Sequence, residues 1–187
     1  VLKNDADGSE VQKVKNTADG KVVFAPIEYT KAGTYKYTIV ETNAGQTIDG
    51  VTYDSLEVKV IVEVTDDGEG NLTANVTYPA DKEFNNSYGA SKTSATLAVK
   101  KTLTGRELKA DEFEFTLTDQ DGNVKETVKN DKDGNVKFSA LEFDKAGTFT
   151  YKIAEKTGTA TGITYDTKTI TATVTVADNG KGALEAT

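Results

Sequence analysis

Residues 56–64 read LEVKVIVEV, and this stretch decides the fold class. From its first leucine, apolar residues take every second position, which is the period of a β-strand with one buried face. Valine and isoleucine supply most of the apolar side chains, and both residue types favour strands over helices. The stretch therefore predicts a long strand with one face in a core.

The same pattern returns as TITATVTVA at residues 169–177, and its surroundings return with it. DADGSEVQKVKNTADGKVVF (5–24) matches DQDGNVKETVKNDKDGNVKF (119–138) at an offset of 114, as KAGTYKYTIVE matches KAGTFTYKIAE. A period of that length is the size of one domain and is too long for a solenoid repeat. The sequence therefore predicts a tandem pair of domains.

Both copies are predicted to be all-β. Their alternating runs are separated by DG, AG, NG and GEG turns, and no segment has a sustained period of 3.6 residues. Several short strands over about 110 residues are typical of an immunoglobulin-like β-sandwich. We expect tandem β-sandwiches over residues 1–88 and 97–187, with the small, polar segment 89–96 as the linker.

The two copies are out of phase. Val1 aligns with Phe115, inside a strand of the second copy, and Thr187 aligns with Asn75, before the last strand of the first. We therefore expect the first domain to lack its first strand and the second domain to lack its last strand.

The composition narrows the classes of function. The 187 residues carry a formal net charge of −8 and include no His, Cys, Met or Trp. The acidic balance predicts no binding of nucleic acid, and no apolar run approaches the roughly 18 residues of a membrane span. Without Cys the chain has no thiol chemistry and no thiolate metal ligand, and without His it has no imidazole ligand and lacks the commonest general base. We expect no turnover enzyme, no cofactor, no metal and no membrane insertion.

Polar side chains fall on faces that should be apolar. In EFNNSY, Asn86 alternates with two aromatic residues, and in LAVKK, Lys101 shares a face with a leucine and a valine. The aromatic and aliphatic faces of YKYTIVE and of its copy end in Glu41 and Glu155. We expect these four side chains to point inwards. Their neighbours on two of the strands should face solvent: Lys100 and Asn85.

A buried lysine, glutamate and asparagine can condense. Burial disfavours charge, so it lowers the pKa of a lysine and raises that of a glutamate. A neutral amine can then attack the amide carbon while the acid polarises the carbonyl and shuttles protons; ammonia leaves and an isopeptide bond remains. These shifts need dry surroundings, which we expect from an aromatic cage. Its members would be Phe84, Tyr88, Tyr37 and Tyr151.

Four motifs, VKKTLTGRELKADEFEFTL, YKYTIVE, GVTYD and FNNSY, resemble those of the streptococcal pilin isopeptide linkage domain, found in Gram-positive pilin subunits and in tandem stalks of cell-wall adhesins. The resemblance covers nearly the whole chain and implies a CnaB-like immunoglobulin fold. It implies that Lys101 and Asn86 are crosslinking residues and that Glu41 and Glu155 are the catalytic proton shuttles. It also implies a location on the cell wall of a Gram-positive bacterium.

Neither copy holds all three partners. By the offsets, the lysine of the first copy falls about 14 residues before Val1 and the asparagine of the second about 11 residues past Thr187. Three arrangements stay open: flanking sequence supplies the missing residues, chains complete each other by strand exchange, or Lys101 folds back to Asn86. The fold-back is strained, because the linker of residues 89–96 spans at most about 28 Å.

The first hypothesis of function is structural: stalk repeats of a Gram-positive adhesin, each stapled by an intramolecular Lys–Asn bond and joined to neighbouring repeats. The alternatives are the shaft subunit of a sortase-assembled pilus and, from another class, a β-sandwich that binds carbohydrate or a host protein. Tyr53-Asp54 and Tyr165-Asp166 occur in both copies, and a turn at a strand end accounts for them.

Overall fold

The computed structural model describes residues 1–187 and divides into two compact units, Val1–Tyr88 and Gly89–Thr187. Every regular element is a strand, which confirms the all-β prediction. No helix that could cross a membrane is present.

The first unit is built on a five-stranded antiparallel sheet. Its strands are β1 (Leu2–Asn4), β2 (Glu10–Gln12), β3 (Gly33–Ile39), β4 (Thr47–Ile48), β5 (Val51–Thr52), β6 (Val58–Asp66), β7 (Leu72–Thr77) and β8 (Ser87–Tyr88). The order in the main sheet is β2-β1-β3-β6-β7, and β4, β5 and β8 form a smaller sheet.

Burial along β6 follows the alternation of its sequence. Val58, Val60, Val62 and Val64 are at most 5% exposed, while the side chains between them are exposed. These valines form the core of the first unit together with Leu2 and Tyr37. Partly buried aromatic residues pack against this core: Phe24, Tyr29, Tyr35 and Phe84.

The second unit repeats this sheet and adds two short strand pairs. Its strands are β9 (Thr93–Ala95), β10 (Ala98–Lys100), β11 (Glu114–Asp119), β12 (Val124–Lys129), β13 (Asn135–Lys137), β14 (Leu141–Phe143), β15 (Gly147–Glu155), β16 (Thr169–Asp178) and β17 (Leu184–Ala186). The main sheet has the order β12-β11-β15-β16-β17, β10 pairs with β13, and β9 pairs with β14. The core gathers side chains of the sheet, such as Leu117 and Ile153, with Val136 and Phe143 of the pairs.

The segment predicted to be a linker, residues 89–96, belongs to the second unit. β9 pairs antiparallel with β14, and Ser91 makes an isolated bridge to Ala183. Small, polar residues predicted a free connection, but backbone pairing needs no large side chain. The two units therefore divide between Tyr88 and Gly89.

The units differ in what accompanies the shared sheet. By the repeat offsets, the five main strands of the first unit correspond to those of the second, and they lie in the same order. In the second unit, β10 and β9 pair with β13 and β14. The matching residues of the first unit, 21–23 and 27–29, form no strand, and no strand of that unit takes the place of β9 or β10.

Candidate functional site

Lys101 and Glu155 form an ion pair in the second unit. Lys101 directly follows β10, and Glu155 is the last residue of β15. The lysine Nζ donates to both carboxylate oxygens at 2.8 Å, and the two side chains are only 10% and 3% exposed. Lys100 is exposed and donates to the side chain of Asn135. Both lysines thus point as the alternation predicts.

An aromatic ring covers the lysine of this pair. Lys101 Nζ lies 4.1 Å from the centroid of the Phe113 ring, close enough for a cation–π contact. Phe113 is 1% exposed and meets Tyr165 edge-on at 5.6 Å. Phe113 was not among the residues expected in the cage; it lies just before β11 and continues the buried face of Phe115 and Leu117. Tyr151, which was expected in the cage, is buried in the core of the same unit.

A glycine turn sets the position of the Lys101 main chain. The N–H of Lys101 donates to the carbonyl oxygen of Gly134 at 2.7 Å. Gly134 has a φ of +82°, and a Cβ at this residue would lie 2.1 Å from the carbonyl oxygen of Lys101. Only glycine allows both this left-handed turn and the close approach of the two backbones.

Glu41 and Asn86 form a matching pair in the first unit. Asn86 Nδ2 donates to Glu41 Oε1 at 3.0 Å. The backbone N–H of Asp54 donates to both partners, to Asn86 Oδ1 at 2.8 Å and to Glu41 Oε2 at 3.1 Å. The carboxamide is therefore held at both ends, with its nitrogen on the glutamate and its oxygen on a backbone donor.

The prediction that Asn86 is buried between core rings is wrong for this unit. Asn86 is exposed, Tyr88 is 50% exposed, and Phe84 is half-buried; Asn85 is exposed as expected. Glu41 and Asn86 lie on a groove of about 1470 Å³. Alternation tells which way a side chain points, but it does not tell whether another element covers that face.

The glutamates of the two units accept hydrogen bonds from equivalent backbone N–H groups. The N–H of Asp166 donates to Glu155 Oε2 at 3.1 Å, the same distance and oxygen as Asp54 to Glu41. We call the glutamate with its backbone donor the shared frame. In the second unit it holds the amine of Lys101, and in the first unit it holds the amide of Asn86. Lys101 and Asn86 therefore contact equivalent glutamates in different units.

Asp54 was explained from the sequence as part of a turn, but its contacts extend further. Its Oδ1 accepts the N–H of Leu56 at 2.9 Å, which is the turn. Its Oδ2 accepts the N–H of Asn85 at 2.8 Å, 31 residues away. These hydrogen bonds, that of Asn85 first, hold the pKa of the Asp54 carboxyl below its usual value. The repetition of Tyr-Asp in both copies was a signal for the backbone donor that the two units share.

The model of FctA, described as a Spy0128-like isopeptide containing domain, matches the chain twice, over residues 2–89 and 97–187. No curated protein matches the sequence. The two matches correspond to the two repeats and to the two units of the structure. The chain belongs to the FctA family of Spy0128-like isopeptide containing domains and carries two copies of that domain.

Proposed function

We propose that these domains are stalk repeats of a Gram-positive cell-surface adhesin, each stabilised by a self-formed isopeptide bond between a lysine and an asparagine. The observation that supports this most strongly is the shared frame, in which equivalent glutamates hold Lys101 in one unit and Asn86 in the other. A domain with both partners would bring the amine and the amide to one carboxyl group.

The proposed step begins with a proton transfer along an existing hydrogen bond. Lys101 Nζ is 2.8 Å from both oxygens of Glu155, so a proton passed to the carboxylate leaves a neutral amine and a neutral acid. The two side chains are only 10% and 3% exposed, so little water surrounds the pair when the proton moves.

The amine then attacks the amide carbon of the asparagine. The carbonyl oxygen takes up the electron pair. The neutral glutamic acid gives its proton to the leaving nitrogen, for which Glu41 Oε1 lies 3.0 Å from Asn86 Nδ2, and the carboxylate that results takes up a proton from the attacking nitrogen. The intermediate collapses to an amide and one molecule of ammonia, so the reaction needs no oxidant or cofactor.

The positions of the partners suit a load-bearing role. Lys101 lies near the start of its unit and Asn86 near the end of its own, so a bond within one complete domain would join its first and last strands. Tension entering at one end would leave at the other through the bond. Closing a loop of about 100 residues would stabilise a domain by about 4–5 kcal/mol in the chain-entropy treatment.

In the second unit, β10 pairs with β13, and Lys101, which directly follows β10, donates to the glutamate. This arrangement supports the proposal that the first unit takes its lysine from outside residues 1–88. We propose that a strand of this type lies along the groove of the first unit, supplied by flanking sequence or by another copy of the chain.

A synthetic peptide with the sequence of residues 93–104, TSATLAVKKTLT, tests this proposal by intact-mass spectrometry. We expect an adduct lighter than the sum of chain and peptide by about 17 Da, the mass of the ammonia that leaves. Glu41→Ala should abolish the adduct, and Glu155→Ala, the equivalent change in the other unit, should leave it intact.

Two peptide variants control the register. Alanine at the position of Lys101 should prevent the reaction, and alanine at the position of Lys100 should not. The proposal fails if the peptide binds without any loss of ammonia, or if the adduct forms equally well in the Glu41→Ala chain.

A further inference from the structure

We propose that Asp54 is a positioning residue for the isopeptide reaction of the first unit. Its carboxylate clamps the main chain beside the acceptor asparagine, and its backbone N–H supports the oxygen that becomes negatively charged. This inference rests on the proposed function and adds to it a group that is neither the amine, the amide nor the proton shuttle.

The clamp is the contact that a simple turn leaves unexplained. An aspartate in a turn accepts the N–H two residues later, and Asp54 does so through Oδ1 with Leu56 at 2.9 Å. The second oxygen, Oδ2, accepts the N–H of Asn85, the residue just before the acceptor, at 2.8 Å. One side chain therefore ties the loop that carries the glutamate's backbone donor to the segment that carries Asn86.

The backbone N–H of Asp54 has the geometry of an oxyanion donor. It lies 2.8 Å from Asn86 Oδ1, the atom that takes up the electron pair when an amine attacks the amide carbon. Donors fixed at such an oxygen before reaction stabilise the transition state more than the ground state. The same N–H contacts Glu41 Oε2 at 3.1 Å, so donor, acid and amide are held relative to one another.

The second unit shows that this frame exists without the asparagine. Asp166 donates its N–H to Glu155 at 3.1 Å and accepts the N–H of Lys168 through Oδ1 at 2.9 Å, as Asp54 does with Leu56. The turn and the donor are therefore set by local structure. Two contacts are peculiar to the unit that contains Asn86: Asp54 Oδ2 accepts the N–H of Asn85, and the N–H of Asp54 donates to Asn86 Oδ1.

Asp54→Asn separates the clamp from the turn. An asparagine oxygen can still accept from Leu56, but the amide nitrogen in place of Oδ2 cannot accept from Asn85. The rate of ammonia-releasing adduct formation with TSATLAVKKTLT is measured over a range of peptide concentrations. We expect the rate at saturating peptide to fall about tenfold to a hundredfold, because a small misplacement of reacting groups has effects of this order. The half-saturating concentration should not change.

Asp166→Asn is the matched control and should react at the wild-type rate, because that residue lies in the other unit. The side-chain amide signals of Asn86 provide a second readout that needs no reaction. In NMR spectra of the chain alone, we expect two resolved, slowly exchanging protons in the wild type and signals typical of a free carboxamide in Asp54→Asn.

The outcomes separate this inference from the function on which it rests. Equal saturated rates in wild type and Asp54→Asn, or an unchanged Asn86 side chain in the NMR spectra, overturn the positioning role alone. If wild type forms no adduct, the proposed function fails for this chain, and the NMR comparison still decides whether Asp54 positions Asn86. A lowered stability of the first unit with an unchanged saturated rate also overturns the inference.

Discussion

Replacing Gly134 by alanine tests how the fold presents Lys101 to its glutamate. A Cβ at this residue would lie 2.1 Å from the carbonyl oxygen of Lys101, which can retreat only if the main chain moves. That movement breaks the 2.7 Å hydrogen bond from the N–H of Lys101 to Gly134. A left-handed conformation costs alanine about 1–2 kcal/mol, and the lost hydrogen bond about 0.5–1.5 kcal/mol. We expect the second unit to lose roughly 2–3 kcal/mol of unfolding free energy.

Gly122→Ala is the matched control. Gly122 has a φ of +87°, follows an aspartate as Gly134 does, and has no atom within 4 Å of a built Cβ. This variant should lose only the conformational part, about 1–2 kcal/mol. Urea unfolding followed by NMR signals of each unit gives both values, with the first unit as an internal reference. Equal losses in the two variants would refute the reasoning, as would an undisturbed Lys101 amide in Gly134→Ala.

Three further predictions concern single side chains. Lys101→Met leaves a buried carboxylate without its cation and should destabilise the second unit by about 3–5 kcal/mol in urea unfolding; a stabilised variant would contradict this. Asn130 is 1% exposed and makes three hydrogen bonds to backbone groups. Asn130→Ala should therefore lower the unfolding free energy of the second unit by at least about 2 kcal/mol. Asn16 is the exposed counterpart in the first unit, and Asn16→Ala should change the unfolding free energy by no more than about 0.5 kcal/mol. The pKa of Asp54 in the folded chain is lowered from its ordinary value of 3.8. The contribution of its carboxylate to the stability of the first unit is therefore complete above pH 3.8, and it is lost as the pH falls through the folded pKa. The Asn85 amide should therefore keep its NMR shift above pH 3.8 and move below it, and a shift that changes only above that pH would contradict the assignment.

Local pattern predicted much of this structure because the period of a strand fixes which side chains share a face. The alternation of β6 appears as buried valines between exposed neighbours, and Lys101 turns inwards while Lys100 faces solvent. The internal repeat predicted two domains because a pattern that recurs at domain length needs two similar cores.

The features that the sequence did not predict depend on contacts between residues far apart in the chain. Asn86 points to the predicted face, but it is exposed because no strand of the first unit covers that face. β9 was read as part of a linker because its small, polar residues do not show that their backbone pairs with β14. Asp54 was assigned to a turn because the partner of its second oxygen lies 31 residues away. The composition and period of a segment predict which side chains share a face, but they do not predict which element packs against that face.

The fate of the Asn86 amide nitrogen tests the central claim most directly. The chain is prepared with ¹⁵N in the side chains of its asparagines and incubated with the unlabelled peptide TSATLAVKKTLT. Our account predicts one equivalent of ¹⁵N-ammonium for each adduct, together with a fragment spectrum that places the new bond between the Lys101-equivalent Nζ of the peptide and Cγ of Asn86. An adduct that forms without labelled ammonium, or that persists in Asn86→Ala, would contradict it.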